Sequence, residues 1–163
     1  MTLSDARRTG VLLSAALAFS GILAGSDFDR FVIGAPAWQL LGPEAWADYS
    51  RHADLGRGII LYPVEAIGAA LLTLAAAVSL QVEPGHSRGA AGCLWASSAL
   101  AGIGLLLTLK AAPVMMGIAT TQDAAALAQA FADFTFWSDW RAAAQILSFA
   151  LACAAVAALA PRR

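Results

Sequence analysis

Glu65 is the first residue to suggest chemistry. It is the single charge within an otherwise uncharged apolar stretch, 58–82. A carboxyl at that depth of a hydrophobic run normally faces a partner or a cavity. His52 lies close by in Tyr49-Ser50-Arg51-His52-Ala53-Asp54, and an imidazole can act as a base or as a ligand to metal or haem. If 54–65 is helical, at about 100° per residue Asp54, Arg57 and Glu65 share one stripe. A carboxylate–guanidinium–carboxylate row can take a proton and hold the negative charge left behind. Gly56, Gly58 and Pro63 are the positions that would break this helix. The structural alternatives are an ion-paired or hydrogen-bonded Glu65 and a surface His52.

More charges gather at the same level. Asp27, Asp29 and Arg30 follow the first apolar run, Lys110 ends the third, and Trp137-Ser138-Asp139-Trp140-Arg141 opens the fourth. Asp29, Arg30, Lys110 and Arg141 are candidates to bind a polar group. Trp38, Tyr49, Tyr62, Trp137 and Trp140 could stack on a planar ligand. The tryptophans of this layer, Trp46 included, equally suit an aromatic belt at a membrane interface. No metal site is expected. His52 lacks a second nitrogen or sulfur ligand. Cys93 and Cys153 lie in apolar runs as packing residues, and His86 falls in a turn.

Positioning these residues requires membrane helices. The chain is 60% hydrophobic and only 13% charged, with a mean hydropathy of +0.69. A soluble domain carries about twice that charge. A net charge of −1 leaves no field for nucleic acid. Four runs, 9–26, 58–82, 89–109 and 142–160, are each long enough to cross a bilayer, and in lipid they must be helical. The expected fold is all-α: one integral membrane four-helix bundle over 1–163, with short extracytoplasmic helices forming a lid or extending the spans. Arg7, Arg8 and the small residues Ala24, Gly25 and Ser26 also fit a secretory signal, but the first span is expected to be retained. Gly21 and Gly25 would pack closely against a neighbour.

Connections 27–57 and 110–141 are long and apolar enough to fold, whereas 83–88 is a plain turn. Pro43 and Glu44 fit the start of a short helix. Thr120 or Thr121 could cap another over 123–134. Lysine and arginine divide evenly between the two sides. The termini side, with Arg7, Arg8, Arg88, Arg162 and Arg163, uses very short segments, which favours both termini in the cytoplasm of a plasma-membrane protein.

The plan resembles the anthrone-oxygenase-like family of small four-helix membrane proteins. The resemblance rests on Asp29-Arg30 with Pro36-Ala37-Trp38, on Trp46-Ala47-Asp48-Tyr49-Ser50 leading through Ala53-Asp54-Leu55-Gly56-Arg57-Gly58 to Tyr62-Pro63, and on Phe136-Trp137-Ser138-Asp139-Trp140-Arg141. It implies oxidation of a planar phenolic ketone by dioxygen, without a cofactor. His52 or Glu65 would serve as base, and Arg57, Arg30, Arg141 or Lys110 would hold the enolate oxygen. The alternatives are a non-catalytic accessory or binding subunit of a membrane complex or homo-oligomer, and a haem or metal redox protein using His52. A transporter fits less well, because the termini half lacks polar residues for a through-path.

Overall fold

The computed structural model describes residues 3–160, with side chains from Arg7 onward. Arg162 and Arg163, which contribute to the charge comparison, lie outside the described residues. The described residues form an all-helical bundle without strands. Its helices are α1 (Leu3–Asp29), α2 (Ala35–Leu41), α3 (Pro43–His52), α4 (Gly58–Gln81), α5 (Arg88–Gly117) and α6 (Ala124–Leu159). Four rods, Arg7–Leu41, Pro43–Gln81, Arg88–Gly117 and Ala124–Leu159, are long and apolar enough to cross a membrane. The protein is a multi-pass membrane protein.

The rods pack in a ring, α1 on α4, α4 on α5, α5 on α6, and α6 back on α1. Small residues set the spacing. A methyl at Gly68 would lie 2.6 Å from the Phe19 ring of α1, and one at Gly21 would lie 3.2 Å from Phe149 of α6. Gly25 meets nothing, so only half of the expected glycine pair is an interface. At the termini end Leu13, Ala76, Leu80, Leu94 and Ala155 form a dry core with Cys93 against it. Polar groups there satisfy one another. Thr9 bonds Ser79 at 2.7 Å and donates to Glu83. Ser97 and Ser148 exchange hydroxyl-to-carbonyl bonds of 2.7 and 2.9 Å across α5 and α6. In hydrocarbon such pairings leave no polar group without a partner.

The expected long connections do not exist as loops. The helix of α1 runs on through a π-helical turn, Arg30–Gly34, into α2, and α3 runs through a second, Ala53–Arg57, into α4. Gly42 alone joins α2 to α3, at φ 98° and ψ 162°, a conformation essentially confined to glycine. Pro43 then opens α3 at a position where no amide hydrogen is needed. The third span does not stop at Lys110. It continues to Gly117 with Lys110 exposed, because one surface lysine does not interrupt backbone hydrogen bonding. Asp123, not Thr120 or Thr121, caps α6, accepting from the Ala126 amide at 2.8 Å. Thr121 instead donates back to the Gly117 carbonyl.

These extensions build a second core at the end away from the termini. Trp46, Ala47, Met115, Ile118, Leu127 and Phe134 close it, with Trp38, Leu55 and Trp137 packed against it. Trp46 is fully buried, its ring centroid 5.2 Å from Phe131 and 5.4 Å from Phe134. Arg51 of α3 donates to the carbonyls of Ile118 and Thr121. It thereby satisfies backbone acceptors left over where α5 ends.

Candidate functional site

Two buried ion pairs hold this far end together. Arg141 of α6 donates to Asp27 of α1 at 3.0 Å. Arg30, in the first π-helical turn, pairs with Asp54 in the second. Asp27 and Asp54 are each only 5% exposed. Removing one partner from such a pair leaves an uncompensated buried charge, which costs about 3–5 kcal/mol. Arg30 also donates to the Tyr62 hydroxyl at 3.3 Å. Its guanidinium carbon lies 5.7 Å from the Trp38 ring centroid, 5.4 Å from Tyr62 and 6.0 Å from Phe134. Three aromatic faces and a carboxylate fix its position.

Between the first and fourth rods lies a cleft lined by Asp27, Arg30, Phe31, Ala35, Trp38, Phe134, Thr135, Ser138, Asp139, Arg141 and Ala142. The cleft is partly open and its free space is about 20 Å³, room for one oxygen atom of water size. Asp27 Oδ2, Ser138 Oγ and Arg141 Nε are buried without a hydrogen-bond partner. The residues that carry them, Asp27, Ser138 and Arg141, all line this cleft. The other orphaned polar atoms among the described residues are Trp46 Nε1, Ser50 Oγ, Asp54 Oδ2 and Glu65 Oε2. All belong to the same end of the bundle, whereas Thr9, Ser79, Ser97 and Ser148 at or toward the termini end are satisfied.

The predicted residues scatter around this site. Arg30, Trp38 and Arg141 line the cleft. Asp54 and Tyr62 hold Arg30 from behind. Tyr49, half exposed, packs against Trp38 with the rings tilted at 45° and 5.3 Å between centroids. Trp137 packs against the far-end core, while Trp140, Asp29 and Lys110 are exposed. Glu65 is buried, 7% exposed, yet does not line the cleft.

The Asp54–Arg57–Glu65 stripe does not form. The π-helical turn and the non-helical Gly56 (φ −80°, ψ −112°) reset the phase between Asp54 and Glu65. Asp54 consequently faces inward and Arg57 outward. His52 is also no part of the site. Its side chain is 82% exposed and its Nδ1 is bonded to the Asp48 carbonyl at 2.8 Å. Among the described residues, no group of three or more His, Cys, Asp or Glu side chains is placed to hold a metal ion.

Sequence reasoning missed Asp27 as a site residue, along with Ser138 and Asp139. A signal for Asp27 was present. Ser20, Leu23, Ala24 and Asp27 are all buried and recur at the spacing of one helix face, whereas Asp29 falls on the opposite side.

Comparison with known proteins finds no matching family model, curated protein or solved structure.

Proposed function

We propose that this multi-pass protein binds a lipophilic small molecule by an oxygen-bearing head, seated in the cleft between α1 and α6, and acts on it as an oxygenase-like enzyme. The observation that carries this reading is that Asp27, Ser138 and Arg141, which line one small cleft, each hold a buried polar atom without a partner. Orphaned polar atoms are rare in folded interiors and call for an explanation. A hydroxyl, or the enol form of a carbonyl, can donate to the Asp27 carboxylate and accept from Ser138 and Arg141. The cleft is too small for a ring. The body of the ligand therefore lies outside it, against Phe31 and Trp38 and in the lipid. In this reading the far end faces outward, both termini are cytoplasmic, and the membrane is the plasma membrane.

The chemistry follows from the residues. Asp27 takes a proton from the carbon beside the carbonyl. Arg141 and Arg30 hold the resulting enolate oxygen in a low-dielectric setting. Dioxygen, the co-substrate, oxidises the CH₂ carbon: one oxygen atom remains as a new carbonyl and the other leaves as water. The balance needs no further oxidant. Oxygen uptake by the purified protein in nanodiscs, with anthrone as probe, tests this. Uptake should match substrate consumed and fall at least about 100-fold in Asp27→Asn, the usual worth of a positioned base.

One observation favours a non-catalytic accessory subunit instead: Asp27, Arg141, Arg30 and Asp54 already satisfy one another's charge in pairs, as a structural clasp would. Absence of oxygen uptake by the wild type, together with co-purification of a defined membrane partner, would establish that reading.

A further inference from the structure

The cleft is lined by two arginines, and neither has a charge to spare. Arg141 donates to Asp27 at 3.0 Å, and Arg30 pairs with Asp54. Both arginine side chains are only 17% exposed. The rings of Trp38, Tyr62 and Phe134 lie within 6.0 Å of the Arg30 guanidinium carbon. Asp139 adds a carboxyl to the lining and has no ion pair among the described residues. The cleft and its backing thus hold three carboxyls, Asp27, Asp54 and Asp139, against two guanidiniums. The exposed charges of the far end lean the same way: Asp29, Glu44, Asp48, Asp123 and Asp133 against Arg57 and Lys110.

An unpaired arginine in such a cleft would collect a carboxylate or a phosphate, which match its planar fork of donors. A phospholipid bilayer supplies phosphate in quantity. Here a carboxylate of the chain itself already fills that role. A second anion beside Asp27 would bring like charges together in a low-dielectric setting, where their repulsion is strongest. A hydroxyl head meets no such penalty. It carries no charge, and Arg141 keeps one nitrogen, Nε, without a partner.

We propose that Asp27 is the specificity-determining residue of the cleft. By occupying Arg141 it admits an uncharged hydroxyl or carbonyl head and excludes carboxylate and phosphate heads, those of the surrounding phospholipids included. The inference rests on the ligand-binding reading above and names the class of head that the cleft accepts. It also orders the proposed reaction. A preformed anion is turned away, whereas a neutral head enters and gives a proton to Asp27. Once protonated, Asp27 no longer neutralises Arg141, which is free to hold the enolate oxygen formed in the same step. Asp27 thus screens ligands on entry and releases the positive charge only when the reaction needs it.

Saturable binding of naphthol and of naphthoate to the protein in phosphatidylcholine nanodiscs tests the proposal, with empty nanodiscs as the reference for partition. The two probes share a ring system and differ in the charge of the head at neutral pH. The wild type should bind naphthol and hold naphthoate at least about 10-fold more weakly, as like-charge juxtaposition requires. The preference should persist in high salt, which screens the exposed charges but hardly touches the buried pair. Equal binding of the two probes, or a preference lost in high salt, overturns the proposal and leaves the ligand-binding reading standing. No binding of naphthol defeats both. Asp27→Asn imitates the carboxyl after it has taken its proton. It should bind naphthoate roughly 10- to 100-fold more tightly than the wild type does, the worth of a charge-assisted hydrogen bond, and naphthoate should raise its melting temperature. A folded Asp27→Asn that rejects naphthoate as the wild type does overturns the proposal, and the wild-type comparison decides it if the variant does not fold.

Discussion

Asp27 belongs both to a buried ion pair and to the lining of the cleft. It accepts from Arg141 through one oxygen, and its other oxygen is buried without a partner. Arg141→Ala should therefore destabilise the fold by about 3–5 kcal/mol, because Asp27 would remain buried and unpaired. Replacing both, as Asp27→Asn with Arg141→Gln, should recover part of that loss. Thermal unfolding of the single and double variants measures the coupling. Glu65 and Asp54 were legible in the sequence as buried charges. His52 and Arg57 were not legible as exposed ones, since residue type says what a side chain can do and not which way it faces. Helical phase supplies that direction only while the helix stays regular, and Gly56 ends its regularity.

At the scale of elements, the apolar runs identified four spans, and four rods are found. Their lengths were hidden. The α5 and α6 helices, with 30 and 36 residues, reach about 45 and 54 Å at 1.5 Å per residue, well beyond a bilayer core of about 30 Å. Hydropathy marks the part in lipid and is silent about the polar continuation. Gly42→Ala should cost about 1–3 kcal/mol, because alanine is strained at the link between α2 and α3. A fall in melting temperature without loss of helical signal would confirm a local effect. Gly68→Ala should cost roughly 1–3 kcal/mol by overpacking against Phe19, read by the same measurement.

The whole molecule is polarised along its axis. One end is a dry core with its polar groups mutually satisfied. The other adds a second core, two buried ion pairs and the orphaned polar atoms. The sequence showed this asymmetry as charges collecting at one end of every span. It did not show the pairing, because Asp27 and Arg141 are 114 positions apart and meet only when α1 packs on α6. The proposed orientation is open to direct labelling. In a chain freed of Cys93 and Cys153, a membrane-impermeant thiol reagent applied to intact cells should modify Asp48→Cys and spare Ser87→Cys. The reverse pattern would place the cleft on the cytoplasmic side.

The most direct test of the central claim, that the cleft receives an oxygen-bearing head, is the affinity of a lipophilic phenol for wild type and Ser138→Ala. This variant leaves both ion pairs in place. Saturable binding of naphthol to the wild type in nanodiscs, weakened roughly 2- to 10-fold in Ser138→Ala as the loss of one neutral hydrogen bond requires, is the predicted result. Equal binding by the two proteins, or partition of naphthol no different from that into empty nanodiscs, would contradict it.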